Sequence, residues 1–199
     1  MATDIADTAP PPRSKRLKAD TNETHDRLDK RIMAGDPFAS RENYARFLSV
    51  QYPFHRDIEA LYTYPVLAAL LPDLEARSRL ARIGDDLADL GRPLPPPDGP
   101  APFAPGAIDL PTALGWLYVA EGSNLGAAFL FKAARAIGLD ENFGARHLAG
   151  HPDGRAQHWR EFTAALDGLH LTEAEEAWMT AGAEAAFRRV HALVDAAFA

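Results

Sequence analysis

The stretch LYVAEGSNLGAAFLFK, residues 117–132, has the spacing of a long amphipathic helix and carries two glycines in its interior. Gly122 and Gly126 stand one turn apart, with Ser123 and Asn124 between them. Each interior glycine costs a helix about 1 kcal/mol relative to alanine, so the helix needs its bare backbone for some purpose. The segment alone leaves three explanations open: a closely packed second helix, a mobile bend, or a flat apolar ligand held against the backbone.

Helical spacing continues on both sides of this stretch, and no part of the chain alternates as a β-strand does. A helical face begins at Ser14 and stops near Gly35, after which Ser40 can cap a second helix. Pro53 should kink or divide that second helix, and a third segment ends at Gly91. These patterns predict a helical N-terminal half.

The C-terminal half is also predicted to be helical. The motif LTEAEE gives a capping box, Thr172 with Glu175, at the start of a terminal helix. A Pro-rich loop with no helical option precedes the central helix, which starts at Asp109. We therefore predict an all-α fold with one domain. The predicted segments are the loop 91–106, the helices 109–137, 143–148, 157–166 and 172–198, a disordered N-terminal tail over 1–13 and a domain over 14–199.

Composition excludes several classes of protein. The chain has 199 residues and a net charge of −7, which argues against nucleic acid or an anionic membrane as the main partner. Because there is no cysteine, a disulfide-linked partner and thiolate-ligated metals or haem are excluded. No apolar run reaches membrane-spanning length and the N-terminus lacks the apolar core of a secretory signal, so we expect a cytoplasmic protein without membrane contact.

Among the seven histidines, His25 has the most suggestive neighbours. On a helix, Lys18, Asn22, His25 and Asp29 form one stripe. Asp29 could accept a hydrogen bond from Nδ1 of His25, which would leave Nε2 free to ligate a metal. The alternative is a solvent-facing charged stripe, and this segment does not decide between them.

The other six histidines are more typical of surface, capping or partly buried structural positions. His147 and His151 have metal-pair spacing, but Gly150 and Pro152 argue against a continuous helix between them. They also lack a third ligand nearby in the sequence. We therefore do not predict a metal site there.

Taken together, the segments ETHDRLD (residues 23–29) and ALGWLYVAEGSNLGAAFLFKAA (residues 113–134) resemble those of bacterial haem oxygenases. The resemblance implies that His25 is the proximal ligand of the haem iron and that the helix around Gly122 and Gly126 is a kinked distal helix. It also implies that haem is both prosthetic group and substrate, with O2 as co-substrate and biliverdin, carbon monoxide and ferrous iron as products. Ser123 and Asn124 would help to hold the water that donates protons.

The resemblance also implies how haem is seated. Lys18 and Tyr118 match residues that anchor the haem propionates in relatives that cleave at the α-meso carbon. Lys132 matches a lysine used in a different seating, so both seatings stay open and α is favoured. Asp29 departs from the glutamate often found at its position, which places its direct bond to His25 in doubt.

The function that follows is a haem-degrading monooxygenase. Because the chain has no nucleotide or flavin fingerprint, it requires an external electron donor such as a ferredoxin, a flavodoxin or a reductase. Two alternatives remain: a non-catalytic protein that binds or transfers haem on the same scaffold, and a helical partner-binding module in which the glycines serve packing only.

Overall fold

Side chains at their first turns cap three of the main helices. In the computed structural model, which describes residues 10–104 and 108–199, the hydroxyl of Ser40 accepts a hydrogen bond from the Asn43 amide at 3.1 Å. The carboxylate of Asp109 likewise accepts one from the Thr112 amide at 3.0 Å. Thr172 and Glu175 form both bonds of the predicted capping box. All three helix starts are therefore confirmed.

Seven α-helices lie in the described ranges, and no strand is found there, which confirms the all-α prediction. None of these helices combines the length and apolar character needed to cross a membrane. In chain order they are α1 (Arg13–Ala34), α2 (Arg41–Tyr62), α3 (Pro65–Leu70), α4 (Leu80–Asp89), α5 (Leu110–Ala136), α6 (Arg155–Asp167) and α7 (Glu173–Ala197), with short 3-10 turns at Glu75–Arg77 and Arg146–Leu148.

The structure tests two expectations about helix limits. Pro53 does not divide α2, whose buried side chains continue past it to Tyr62. Only a 3-10 turn occupies the segment where a helix was predicted over 143–148. The reason is that Gly144 is left-handed (φ 75°) and donates its amide to Asp89 of α4, which stops helical hydrogen bonding there.

The N-terminal tail predicted at 1–13 lies outside the described residues at positions 1–9. Arg13 already belongs to α1 and is almost fully buried. Its Nε donates to Glu176 at 2.8 Å, and its Nη2 donates to the Leu169 carbonyl at 2.9 Å. The first residue of α1 is therefore tied to the C-terminal half of the chain.

The core lies around α5. This helix packs on α7, α6 and α2, while α1 packs on α7 and α6 and makes no extensive contact with α5. The α5–α7 crossing is close because glycine faces glycine: a Cβ on Gly182 would stand 2.5 Å from the Thr112 carbonyl oxygen. A Cβ on Gly115 would overlap the Met179 carbonyl. Helix α7 therefore packs on both α1 and α5, which make no extensive contact with each other.

Candidate active site

The stripe predicted on α1 is solvent-facing in the structure: Lys18, Asn22, His25 and Asp29 are all exposed. The His25 side chain is 53% exposed. Its Nδ1 lies 3.6 Å from a carboxylate oxygen of Asp29 and also 3.6 Å from one of Asp26. Both distances exceed a hydrogen bond, so the direct bond to Asp29 is not formed. One water molecule would be needed to connect Nδ1 to either carboxylate.

Phe187 of α7 packs against the His25 ring. The Phe187 ring lies 5.9 Å from the imidazole at an interplanar angle of 88°, an edge-to-face arrangement. Phe187 is itself buried in the main core. The imidazole is therefore positioned against a fixed wall while its opposite side stays open to solvent.

Other parts of the protein leave most of the glycine face of α5 uncovered. No atom of the described residues lies within 4 Å of a Cβ placed on Gly126. A Cβ on Gly122 would meet only the Trp159 ring, at an ordinary 3.7 Å. Leu125 and Phe129, which share this side of α5 by helical spacing, are 40% and 66% exposed. Close packing of a second helix therefore does not explain these glycines.

Tyr118 and Lys132 lie at the two ends of this glycine face. The Tyr118 ring packs 5.6 Å from Trp159, and burial raises the pKa of Tyr118 to about 12, so its hydroxyl remains a donor at neutral pH. Lys132 is exposed. Their separation of fourteen residues corresponds to about 21 Å along a helix. One anionic edge of a ligand cannot contact both.

Asn124 does not share the glycine face, whereas exposed Ser123, three residues before Gly126, borders it. The Ser123 hydroxyl donates to the Ala120 carbonyl at 2.7 Å. Asn124 is buried and, two residues after Gly122, lies on the opposite side of α5, beside the Glu121 carboxylate. The structure therefore places Asn124 behind the helix rather than among the exposed apolar side chains.

A buried ion pair on that rear side was not predicted from the sequence. Arg77 Nη1 donates to Glu121 Oε2 at 2.8 Å, and both side chains are almost completely buried. Burial raises the pKa of Glu121, although the Arg77 guanidinium opposes that shift. The available signal was Glu121 itself, a charged residue within an otherwise apolar run of α5.

The remaining buried histidines belong to structural networks. His147 Nδ1 lies 2.8 Å from Asp86, and His151 stacks on His158 at 4.3 Å. His55 is buried, which lowers its pKa to about 3. Within the described ranges, no group of three or more histidine or carboxylate side chains could hold a metal ion.

Comparison with known proteins gives one consistent result. The family model "Heme oxygenase" matches residues 12–90 and 105–196. A curated relative, "Heme oxygenase PigA" of Pseudomonas aeruginosa, is 51% identical over 187 residues, which cover 94% of this chain and 93% of the relative.

Solved structures agree in fold. The NO- and CO-bound heme oxygenase of Neisseria meningitidis superposes with a TM-score of 0.88 and 43% identity, covering 94% of this chain and 92% of the other. The heme oxygenase of Leptospira interrogans superposes with a TM-score of 0.69 at 18% identity, covering 94% and 100%. At that identity the second match shows only that the fold is shared.

Proposed function

The chain belongs to the heme oxygenase family and is a haem-degrading enzyme, and from that premise we propose that it converts haem to biliverdin, carbon monoxide and ferrous iron, with the cut at the α-meso carbon. The observation that supports this proposal is the uncovered glycine face of α5. A flat apolar substrate could lie against Gly126, where no atom of the described residues comes within 4 Å of a Cβ position. Exposed Leu125 and Phe129 would border it.

His25 is the residue proposed to ligate the haem iron through Nε2. Its ring is held by Phe187 and remains half exposed, so a ligand atom can approach it. The two carboxylates near Nδ1 would favour a proton on that nitrogen through a bridging water and thereby direct the lone pair of Nε2 outward. When haem is bound, its iron supplies the site at which O2 is bound and reduced.

The α-meso position is proposed from the anchors for the haem propionates. Lys18 is exposed two turns before His25 on the same face of α1, and Tyr118 offers a protonated hydroxyl on α5. Lys132 could anchor propionates only in a different seating, since it lies about 21 Å from Tyr118 along the helix. The α-meso seating has two anchors, Lys18 on α1 and Tyr118 on α5, whereas the other seating has only Lys132. We therefore favour the α-meso seating.

The proposed proton supply uses water beside Ser123 and Asn124. Ser123 is exposed at the border of the glycine face, whereas Asn124 lies on the other side of α5 beside Glu121, whose Oε1 has no partner among the described residues and suits an ordered water. When haem is bound, water held by Ser123 and Asn124 would supply the protons, so that no side chain of this chain need act as the proton donor. The named Neisseria meningitidis relative binds the diatomic molecules NO and CO.

The electrons are proposed to come from a separate ferredoxin, flavodoxin or reductase, since the sequence carries no nucleotide or flavin fingerprint. A donor of that kind fits a cytoplasmic enzyme. We therefore propose the cytoplasm as its location.

Purified protein with added haem tests the proposal. We expect a shifted Soret band on binding, followed by loss of the band and release of α-biliverdin when a reductant and air are supplied with catalase present. Chromatography of the product identifies the isomer. Another isomer would refute the seating, and a stable oxygenated complex that yields no bilin would refute biliverdin formation.

A further inference from the structure

A cavity of about 330 Å³ opens behind α5, on the side away from the glycine face. Its wall includes Arg77, Arg79 and Arg82 from the region before and within α4, Asn124 of α5 and His158 of α6. This size is at the lower end of the range for small-molecule sites. Most of these residues have no part in the proposed chemistry of haem.

The cavity wall carries four arginines, and two of them, Arg79 and Arg82, form no ion pair with a carboxylate among the described residues. Arg79 is almost fully buried, and its one hydrogen bond within the described residues goes to the His147 carbonyl, which is neutral. Arg82 makes no hydrogen bond or ion pair there. Arg155, beside the cavity, donates to the carbonyls of Asn124 and Leu148. Burial lowers the pKa of Arg79 to about 10; the Glu121 carboxylate opposes that shift, and the nearby guanidinium groups of Arg155 and Arg82 contribute to it.

The carboxylates nearby are already paired. Glu121 binds Arg77 at 2.8 Å, and Glu141 on the cavity wall binds Arg135 at 2.8 Å. The second arginine of the wall with a carboxylate partner is Arg146, which pairs with Asp86 and Asp89. Arg79 and Arg82 therefore form no ion pair in the described residues, although Glu121 acts on Arg79 from a distance and Arg82 is exposed to solvent.

His158 adds a neutral donor at the same cavity. It is more than nine-tenths buried, and burial lowers its pKa to about 4, so the ring is neutral at pH 7. An Arg77 N–H points toward Nδ1 at 3.4 Å, which places the remaining proton on Nε2. Nε2 is buried and has no partner among the described residues. A buried donor without an acceptor is costly, so an acceptor is expected at this position.

We propose that this cavity binds a small oxyanion of the phosphate class, held by Arg79, Arg82 and the Nε2–H of His158. Guanidinium groups match the oxygens of such anions, and donors from α4 and α6 suit an anion with several oxygens. The bound anion would lie directly behind Asn124, whose carbonyl Arg155 holds at 3.0 Å. The site is thus separate from the haem face but touches the same helix.

Inorganic phosphate is the probe for the test, which uses the full chain without haem and therefore does not depend on turnover. Thermal unfolding is followed as phosphate is added at an ionic strength kept constant with sodium chloride. We expect a saturable rise in Tm, because a ligand that binds only the folded state stabilises it. The Arg82→Gln variant should weaken the apparent affinity about tenfold, the loss of one charge-assisted hydrogen bond.

Arg188→Gln is the matched control, because Arg188 is an exposed arginine on α7 that does not line the cavity and should leave phosphate binding unchanged. His158→Phe keeps an aromatic ring against His151 and removes the Nε2–H, so it should also weaken binding. The proposal is wrong if phosphate gives no rise beyond that of sodium chloride, the result expected for a cavity that holds only water. It is equally wrong if Arg82→Gln and His158→Phe both bind phosphate as the unmodified chain does.

Discussion

Gly115 of α5 lies against Gly182 of α7, so that a Cβ on Gly115 would stand 3.0 Å from the carbonyl carbon of Gly182. Eleven residues further along the same helix, Gly126 faces open space. One helix therefore contains a glycine required by packing and another that packing does not explain. This difference separates the structural glycines from those proposed to serve the substrate.

The two kinds of glycine should respond oppositely to alanine. In the protein without haem, Gly126→Ala should raise the free energy of unfolding by about 0.5–1 kcal/mol, because the methyl group meets nothing and alanine favours the helix. Gly115→Ala should lower it by about 1–3 kcal/mol, because the methyl group overlaps the α7 backbone. Denaturant titration measures both. Gly126→Ala should also weaken haem binding in a Soret titration, and unchanged haem affinity would contradict its place in the substrate site.

Replacing His25 should remove the bond to the haem iron. We expect His25→Ala to lose the spectrum of histidine-ligated haem and nearly all biliverdin formation. His191→Ala is the control, since His191 is an exposed histidine that also has an aspartate four residues later, 3.1 Å from its Nδ1. Equal losses in both variants, or normal turnover of His25→Ala without added imidazole, would show that another residue ligates the iron.

The two propionate anchors should determine the product. In a variant that combines Lys18→Asn with Tyr118→Phe, haem should rotate toward an anchor such as Lys132, and the biliverdin isomer should change. Adding Lys132→Ala to that variant should give a mixture of isomers. Chromatography of the products is the measurement. An unchanged α product from the first variant would mean that Lys18 and Tyr118 do not set the seating.

Stability should fall as the pH falls below about 6.5. Burial lowers the pKa of His55 to about 3 and that of His158 to about 4, from an ordinary 6.5. Between those values the unfolded chain binds protons that the folded chain does not, so each histidine removes up to about 1.4 kcal/mol per pH unit. Denaturant titrations between pH 7 and pH 5 should show the decline, and His55→Gln should reduce its slope. If the stability of His55→Gln falls with pH as steeply as that of the unmodified chain, His55 does not contribute to the pH dependence.

The buried ion pair behind α5 should be sensitive to the loss of one partner. Glu121→Gln leaves the Arg77 guanidinium buried without a counter-charge, so we expect a loss of about 3–5 kcal/mol in the free energy of unfolding. Glu141→Gln, which breaks the exposed pair with Arg135, should have no measurable effect. Replacing both Arg77 and Glu121 by methionine and leucine should recover much of the lost stability. If Glu121→Gln and Glu141→Gln both change the free energy of unfolding only slightly, burial of the ion pair does not determine how much stability is lost.

Much of the fold could be predicted because the signals are local. A cap such as Ser40 or Thr172 bonds to an amide three residues away, and the stripe around His25 follows from helical periodicity. Both depend on neighbours within one or two turns. Pro53 does not divide α2, whose packing continues past it, and the helix expected over 143–148 is absent because Asp89 from another helix binds the Gly144 amide.

What the sequence by itself determined is most of the helices, their capped starts and the helical stripe that carries His25, since all of these depend on contacts between near neighbours. The tertiary structure alone decided which glycines pack and which face open space, and that Asn124 turns toward Arg77 and Glu121 rather than toward the glycine face. Which backbones approach closely, which side chains are buried and which charges lack a partner all depend on how the helices cross. Those relations join residues far apart in the chain, and no local spacing encodes them.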